Sequence, residues 1–227
     1  MFPYPSRLSQ PVVIPHGKIR ATLQNVATFR QSEQPRHHGH IHPHGHATAR
    51  LSRSFAATLS RDEAVRGGKL DEIELGAHLH DIGKYLIPES ILLKPGPLTA
   101  AERATVAFHP AFGAYILSGL PGVTETVYRI VLCHHERWDG GGYPEGLSGS
   151  RIPFAARLVA VCDVYTSLRA RRTYKHSLSR REAVAAMEEM AGRELDPDMV
   201  QDFFRYIQPG QRRHRGNDRG DAGLRSI

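Results

Sequence analysis

An all-α domain of about seven helices is what this sequence predicts, and three observations carry that reading. Apolar residues recur at three- and four-residue spacing, as in Leu51, Phe55 and Leu59, the period of one helix face. Two capping boxes, Thr99-Ala100-Ala101-Glu102 and Ser179-Arg180-Arg181-Glu182, mark helix starts. No stretch gives a convincing sheet or an internal repeat.

Taken in order, residues 1–36 contain Pro3, Pro5, Pro11 and Pro15, which forbid an early helix. That N-terminal arm is expected to be either short β or disordered. Residues 37–46 carry six of the 14 histidines, a composition that suits a polar linker as well as non-specific chelation. A helix is expected to start at His46, leaving that imidazole on the first turn and free to face a site. Gly67-Gly68 breaks the chain. The next helix is predicted from about Leu70 to Leu86, with Ile73, Ala77, His80 and Lys84 on one face and Pro88 ending it. A helix opening at Thr99 should carry His109 and be kinked or ended by Pro110. Another is predicted from about Thr124 to Trp138. Asp139-Gly140-Gly141-Gly142-Tyr143-Pro144 is a glycine-rich loop suited to close backbone approach, and no Lys-Ser/Thr follows it as a P-loop requires. Pro153 opens an apolar helix through Leu168 that embeds Asp163, Gly192 reads as a C-cap, and Asp196-Pro197 starts a last helix to about Ile207.

The chain has 227 residues and a net charge of +7. Residues 1–36 hold five Lys/Arg against one Asp/Glu, and residues 211–227 five Arg against two Asp. The excess therefore sits in the tails and the remainder is neutral, so no nucleic-acid partner is expected for the core. The two cysteines, Cys133 and Cys162, lie in apolar runs and read as reduced core thiols of a cytoplasmic protein. No stretch approaches a membrane span. The expected organisation is an arm over 1–36, one domain over 37–208 and a basic disordered tail over 209–227.

Function is legible in the histidines and carboxylates. His46, His80-Asp81, His109, His134-His135 and Asp163 are spread over five predicted helices, and each supplies imidazole or carboxylate, donors that hold transition metals. Asp163 sits among Leu158, Val159, Val161 and Val164, where a carboxylate is costly unless paired or metal-bound. Two divalent ions can clamp the attacking and leaving oxygens of a phosphoryl displacement.

The run His80-Asp81-Ile82-Gly83-Lys84, then His109-Pro110, then His134-His135-Glu136-Arg137-Trp138-Asp139-Gly140-Gly141-Gly142-Tyr143-Pro144, resembles the HD-GYP family of phosphodiesterases. The likeness continues through Gly146-Leu147, Ile152-Pro153 and Ala160-Val161-Cys162-Asp163 and covers about residues 44–206. It implies an HD-domain helical bundle with a metal centre, flanked by irregular basic tails. It implies hydrolysis of cyclic di-GMP to pGpG, GMP or both, by water activated on two divalent ions, iron or manganese. The metal ligands it implies are His46, His80, Asp81, His109, His134, His135 and Asp163, with Asp81 bridging. Asp81 and Lys84 would be catalytic; Lys84, Tyr143, Arg172 and Lys175 would contact the substrate, Lys84 as a phosphate contact rather than a salt-bridge partner.

Three departures stand beside the resemblance. Thr166 replaces a second acidic residue three positions after Asp163, and Ser167-Leu168-Arg169-Ala170 follows it. His42 stands where members with a third metal carry Glu. The spacing from His46 to His80 is slightly long, which makes His44 a lesser candidate for the first-helix ligand. The alternatives are a catalytically degenerate module that binds a cyclic dinucleotide or a protein partner, and an HD phosphohydrolase acting on another nucleotide. A homodimer or a regulatory protein partner is the remaining expectation, with no membrane association.

Overall fold

The computed structural model describes residues 41–59, 69–118, 120–170 and 177–208. The expectations for the arm over 1–36, for the tail over 209–227 and for Arg172 and Lys175 lie outside the described residues. The helices are α1 (Ile41–Thr58), α2 (Lys69–Leu79), α3 (Glu89–Leu92), α4 (Ala100–Val106), α5 (His109–Ser118), α6 (Glu125–Cys133), α7 (Phe154–Arg169), α8 (Arg180–Met190) and α9 (Pro197–Ile207). Two 3₁₀ turns, Ile82–Leu86 and Gly149–Arg151, accompany them among the described residues. Among the described residues the sole β feature is an isolated bridge between Ala191 and Leu195. The all-α expectation holds.

The capping boxes at Thr99 and Ser179 are both formed, each hydroxyl accepting the N–H three residues on while the Glu carboxylate returns to the cap N–H. Asp196 caps α9, with Pro197 in the first turn, where its missing N–H costs nothing. Helix α1 packs along α2 and α7, and α2 along α6. The main core joins Phe55, Ile73, Ile130, Leu158, Val161, Met187, Val200 and Phe203, with the Phe55 and Phe203 rings edge-to-face at 5.2 Å. A second cluster of Leu75, Leu79, Ile82, Leu117, Val127 and Val131 lies under the 3₁₀ turn. Cys133 and Cys162 are buried free thiols, and burial pushes both up to about 12. No helix among the described residues is long and apolar enough to cross a membrane.

Four predicted boundaries need correction, and all concern residues of the site. Helix α1 begins at Ile41 rather than His46, so the end of the histidine tract is helical rather than linker. The helix predicted over Leu70–Leu86 is broken: α2 stops at Leu79 and the chain tightens into the 3₁₀ turn, leaving His80-Asp81 at the junction. Gly83 permits that tightening, since a Cβ there would overlap the backbone of His109 and Gly113. Helix α4 ends at Val106 and a new helix starts at His109, so Pro110 occupies a first turn instead of kinking a continuous helix. Helix α6 ends at Cys133, which places His134 and His135 beyond it.

Candidate metal centre

Each of these breaks delivers a histidine, and the same local device orients three of them. The last carbonyls of a helix have no intrahelical partner. His80 Nδ1 lies 2.7 Å from Ala77 O, His109 Nδ1 2.8 Å from Val106 O and His134 Nδ1 2.9 Å from Val131 O. In each case the ring donates Nδ1–H to the carbonyl three residues back, at the end of α2, α4 or α6. That bond occupies Nδ1 and turns Nε2 away from the helix, the orientation a metal-ligating imidazole needs.

The inward atoms converge. His109 Nε2 and His134 Nε2 are 3.2 Å apart, and the rings of His134 and His135 are 4.3 Å apart. His80 Nε2 lies 3.3 Å from Asp81 Oδ2 and 3.5 Å from Asp163 Oδ1. His109 Nε2 is 3.3 Å from Asp81 Oδ1. Three overlapping donor groups result, each with its ligand atoms within 4.8 Å of one another: His109, His134 and His135; His44, His80 and Asp163; and His80, Asp81 and His134. The third group joins the other two, with Asp81 between them.

His46 is the sequence-predicted residue that does not arrive. It is exposed and its ring lies 4.4 Å from that of His78. Two residues earlier, His44 Nε2 is 2.6 Å from Asp163 Oδ1 and stands in the donor group instead. The earlier start of α1 is the reason, because two residues rotate a helical side chain by about 200° to the opposite face. Lys84 also differs from expectation: its Nζ is 2.7 Å from Asp81 Oδ2, a salt-bridge partner of the central carboxylate. Tyr143 stands at the edge, its ring 5.1 Å from that of His135. Thr166 bonds Thr48 Oγ1 at 2.9 Å and donates to the carbonyl of Asp163 at 3.0 Å, so it steadies the backbone of α7 rather than the carboxylate.

The electrostatics divide the site. Burial opposes charge on His80, but Asp81 and Asp163 outweigh it and raise His80 to about 10. Burial likewise opposes ionisation of the two aspartates, yet His80 above all holds Asp81 and Asp163 well below the usual carboxylate range. On the other side burial and neighbouring imidazoles act together. His135 falls to about 4 and His134 well below its ordinary value, so both are neutral donors at physiological pH. Asp81 Oδ1 is buried and makes no hydrogen bond of good geometry, its imidazole neighbour His109 Nε2 standing 3.3 Å away, an arrangement that costs free energy unless a cation fills it. Neutral His134 and His135, the ionised aspartates and that oxygen make a donor set that fits divalent metal ions, with His80 releasing its Nε2 proton on binding.

Sequence reasoning overlooked the role of Glu136. It is 4% exposed, and its oxygens accept the N–H groups of Glu145 at 2.7 Å and Leu147 at 2.9 Å. Gly142 lies against the same segment, where a Cβ would sit 2.6 Å from the His135 carbonyl oxygen. A glutamate nine residues before a glycine-flanked loop end was the available signal.

The sequence profile of the family described as HD domain matches residues 39–199. The chain belongs to the HD domain family. Its His80–Lys84 and His134–Pro144 runs are the ones that carry the resemblance to the HD-GYP phosphodiesterases. This HD domain is 37% identical over 191 residues to a protein of Vibrio cholerae named probable cyclic di-GMP phosphodiesterase, covering 81% of the chain and 43% of that relative. It is 36% identical over 213 residues to a cyclic di-GMP phosphodiesterase of Thermotoga maritima, covering 92% of the chain and 55% of the relative. The chain thus spans about half the length of these curated relatives. Among solved structures, an HDG"Y"P protein of Bdellovibrio bacteriovorus superposes with a TM-score of 0.60 at 22% identity, over 85% of this chain and 60% of that one. That likeness establishes the fold of this HD domain.

Proposed function

We propose that the chain is a phosphodiesterase that hydrolyses cyclic di-GMP to pGpG, GMP or both. The observation that carries the reading is the pair of donor groups joined through His80, Asp81 and His134, with a buried Asp81 oxygen left for a cation. The names of the relatives at 36–37% identity supply the substrate class.

His44, His80 and Asp163 would hold one divalent ion, His109, His134 and His135 the other, and Asp81 would bridge them; iron or manganese suits this imidazole–carboxylate set. Bound, the ions would supply an activated water and neutralise charge on the phosphate oxygens. The chain's own part is to fix the donors. Backbone carbonyls lock three imidazoles, and buried aspartates stay ionised. Lys84, its Nζ 2.7 Å from Asp81 Oδ2 and its side chain 27% exposed, is the side chain able to swing from the carboxylate to a phosphate oxygen. Tyr143 forms a wall beside His135. Arg172 and Lys175 are proposed as further substrate contacts on the resemblance alone. The proposed substrate class and the two buried free thiols support a cytoplasmic setting for the reaction.

The test is product analysis on protein purified without oxygen and loaded with Fe(II) or Mn(II), with cyclic di-GMP and a second cyclic dinucleotide as parallel substrates. Metal-dependent pGpG or GMP is the expected result. Turnover of the second dinucleotide alone would move the assignment to another substrate, and no turnover of either, with cyclic di-GMP bound, would make the chain a binding module.

A further inference from the structure

The glycine-rich loop is fastened by a carboxylate that belongs to none of the three donor groups. Glu136 follows His134 and His135 directly, is buried, and spends both oxygens on the backbone N–H groups of Glu145 and Leu147. Charge-assisted bonds of this kind are about twice as strong as neutral ones. The near end of the loop is fixed separately: Trp138 N–H donates to Glu194 O at 3.2 Å and Asp139 N–H to Arg193 O at 2.8 Å. Between these anchors the loop folds back on the segment that carries the histidines. Tyr143 N–H donates to His135 O at 3.3 Å, Gly142 is pressed on His135 and Glu136, and the Tyr143 ring lies against the His135 ring at 31°.

We propose that Glu136 is a positioning residue: by holding the Glu145–Leu147 end of the loop it sets Tyr143 against His135 and so fixes the substrate-facing wall of the metal centre. Calling that wall substrate-facing rests on the phosphodiesterase reading; the positioning itself rests on the bonds. One side chain, adjacent to a proposed ligand yet directed to the loop, thereby ties the wall to the centre. Loss of Glu136 should loosen the wall without removing a donor.

The single tryptophan of the chain reports on this end of the loop, because the Trp138 carbonyl accepts the Gly149 N–H at 3.0 Å, two residues beyond Leu147, and its ring lies under the Arg157 guanidinium, 5.7 Å from the ring centroid. In the metal-loaded full chain, E136A and E136Q are compared with wild type for metal content, acrylamide quenching of Trp138, and KM and kcat on cyclic di-GMP. For E136A we expect wild-type metal content, quenching raised about twofold or more, KM raised about tenfold and kcat within about threefold, the pattern of lost positioning for binding. E136Q keeps one acceptor oxygen and should fall between. Wild-type quenching and KM in E136A would overturn the proposal, as would metal loss in proportion to activity loss. If circular dichroism shows E136A unfolded, E136Q decides by the same readouts. If wild type turns over nothing, the phosphodiesterase reading fails while quenching and cyclic di-GMP affinity by calorimetry still decide the role of Glu136: raised quenching with weaker binding supports it, and wild-type values of both refute it.

Discussion

Replacing His44 and His46 separately by alanine is the sharpest perturbation, because the two imidazoles are two residues apart and the structure sends one inward and one outward. His44 Nε2 is 2.6 Å from Asp163 Oδ1, and their side chains are 19% and 14% exposed. Removing a hydrogen bond to an ionised group costs about 1.5–3 kcal/mol. His80, still 3.5 Å from the same oxygen, keeps Asp163 partnered, so H44A should lose stability at the lower end, about 1.5 kcal/mol in the metal-free protein. The effect on metal should be larger. Loss of residues that merely orient a ligand costs about 10- to 100-fold in affinity, so loss of a direct donor should cost at least about 100-fold. His46 is exposed, and H46A should change stability by no more than about 0.5 kcal/mol and leave metal content intact. The assay is elemental analysis of protein purified without oxygen, alongside urea unfolding of the chelator-treated form. If H46A loses metal while H44A keeps it, the assignment of α1's inward face is wrong.

Lys84→Ala should retain metal, since the lysine competes for Asp81 rather than supporting the donors, while kcat falls about 10²–10³-fold as one charge-stabilising group disappears; loss of metal with activity would make Lys84 structural instead. Gly83→Ala should destabilise the protein by about 3 kcal/mol or more, because the added Cβ meets backbone rather than a movable side chain, and a wild-type urea midpoint would contradict the close packing of the 3₁₀ turn on α5. The stability of the chelator-treated protein should peak near neutral pH, measured by unfolding from pH 4 to 10. His135, depressed to about 4, binds a proton more readily when unfolded, so its contribution is lost as pH falls from its ordinary value toward 4. His80, raised to about 10, contributes fully below its ordinary value and loses that contribution as pH rises toward 10. A stability that climbs steadily to pH 10 would refute the environment assigned to His80.

Much of the fold was legible in local chemistry. Thr99, Ser179 and Asp196 cap their helices because a short side-chain oxygen meets a free N–H within the same turn, a bond that needs no distant partner. The donor residues His80, Asp81, His109, His134, His135 and Asp163 were legible as a set, since few cores bury so many imidazoles and carboxylates together. What was not legible was where helices stop. Periodicity extended α2 to Leu86 and α6 to Trp138, whereas the His80 and His134 rings take the last carbonyls of shortened helices.

Composition and pattern were sufficient for an all-helical class, for the donor inventory and for the glycine-rich loop, because caps, periods and residue types act over a few residues. The choice of His44 over His46, the pairing of Lys84 with Asp81 and the fastening of the loop by Glu136 depended on tertiary contacts. Each turns on which face of an element meets a partner far along the chain: His44 meets Asp163 across 119 residues, and no local period encodes that register.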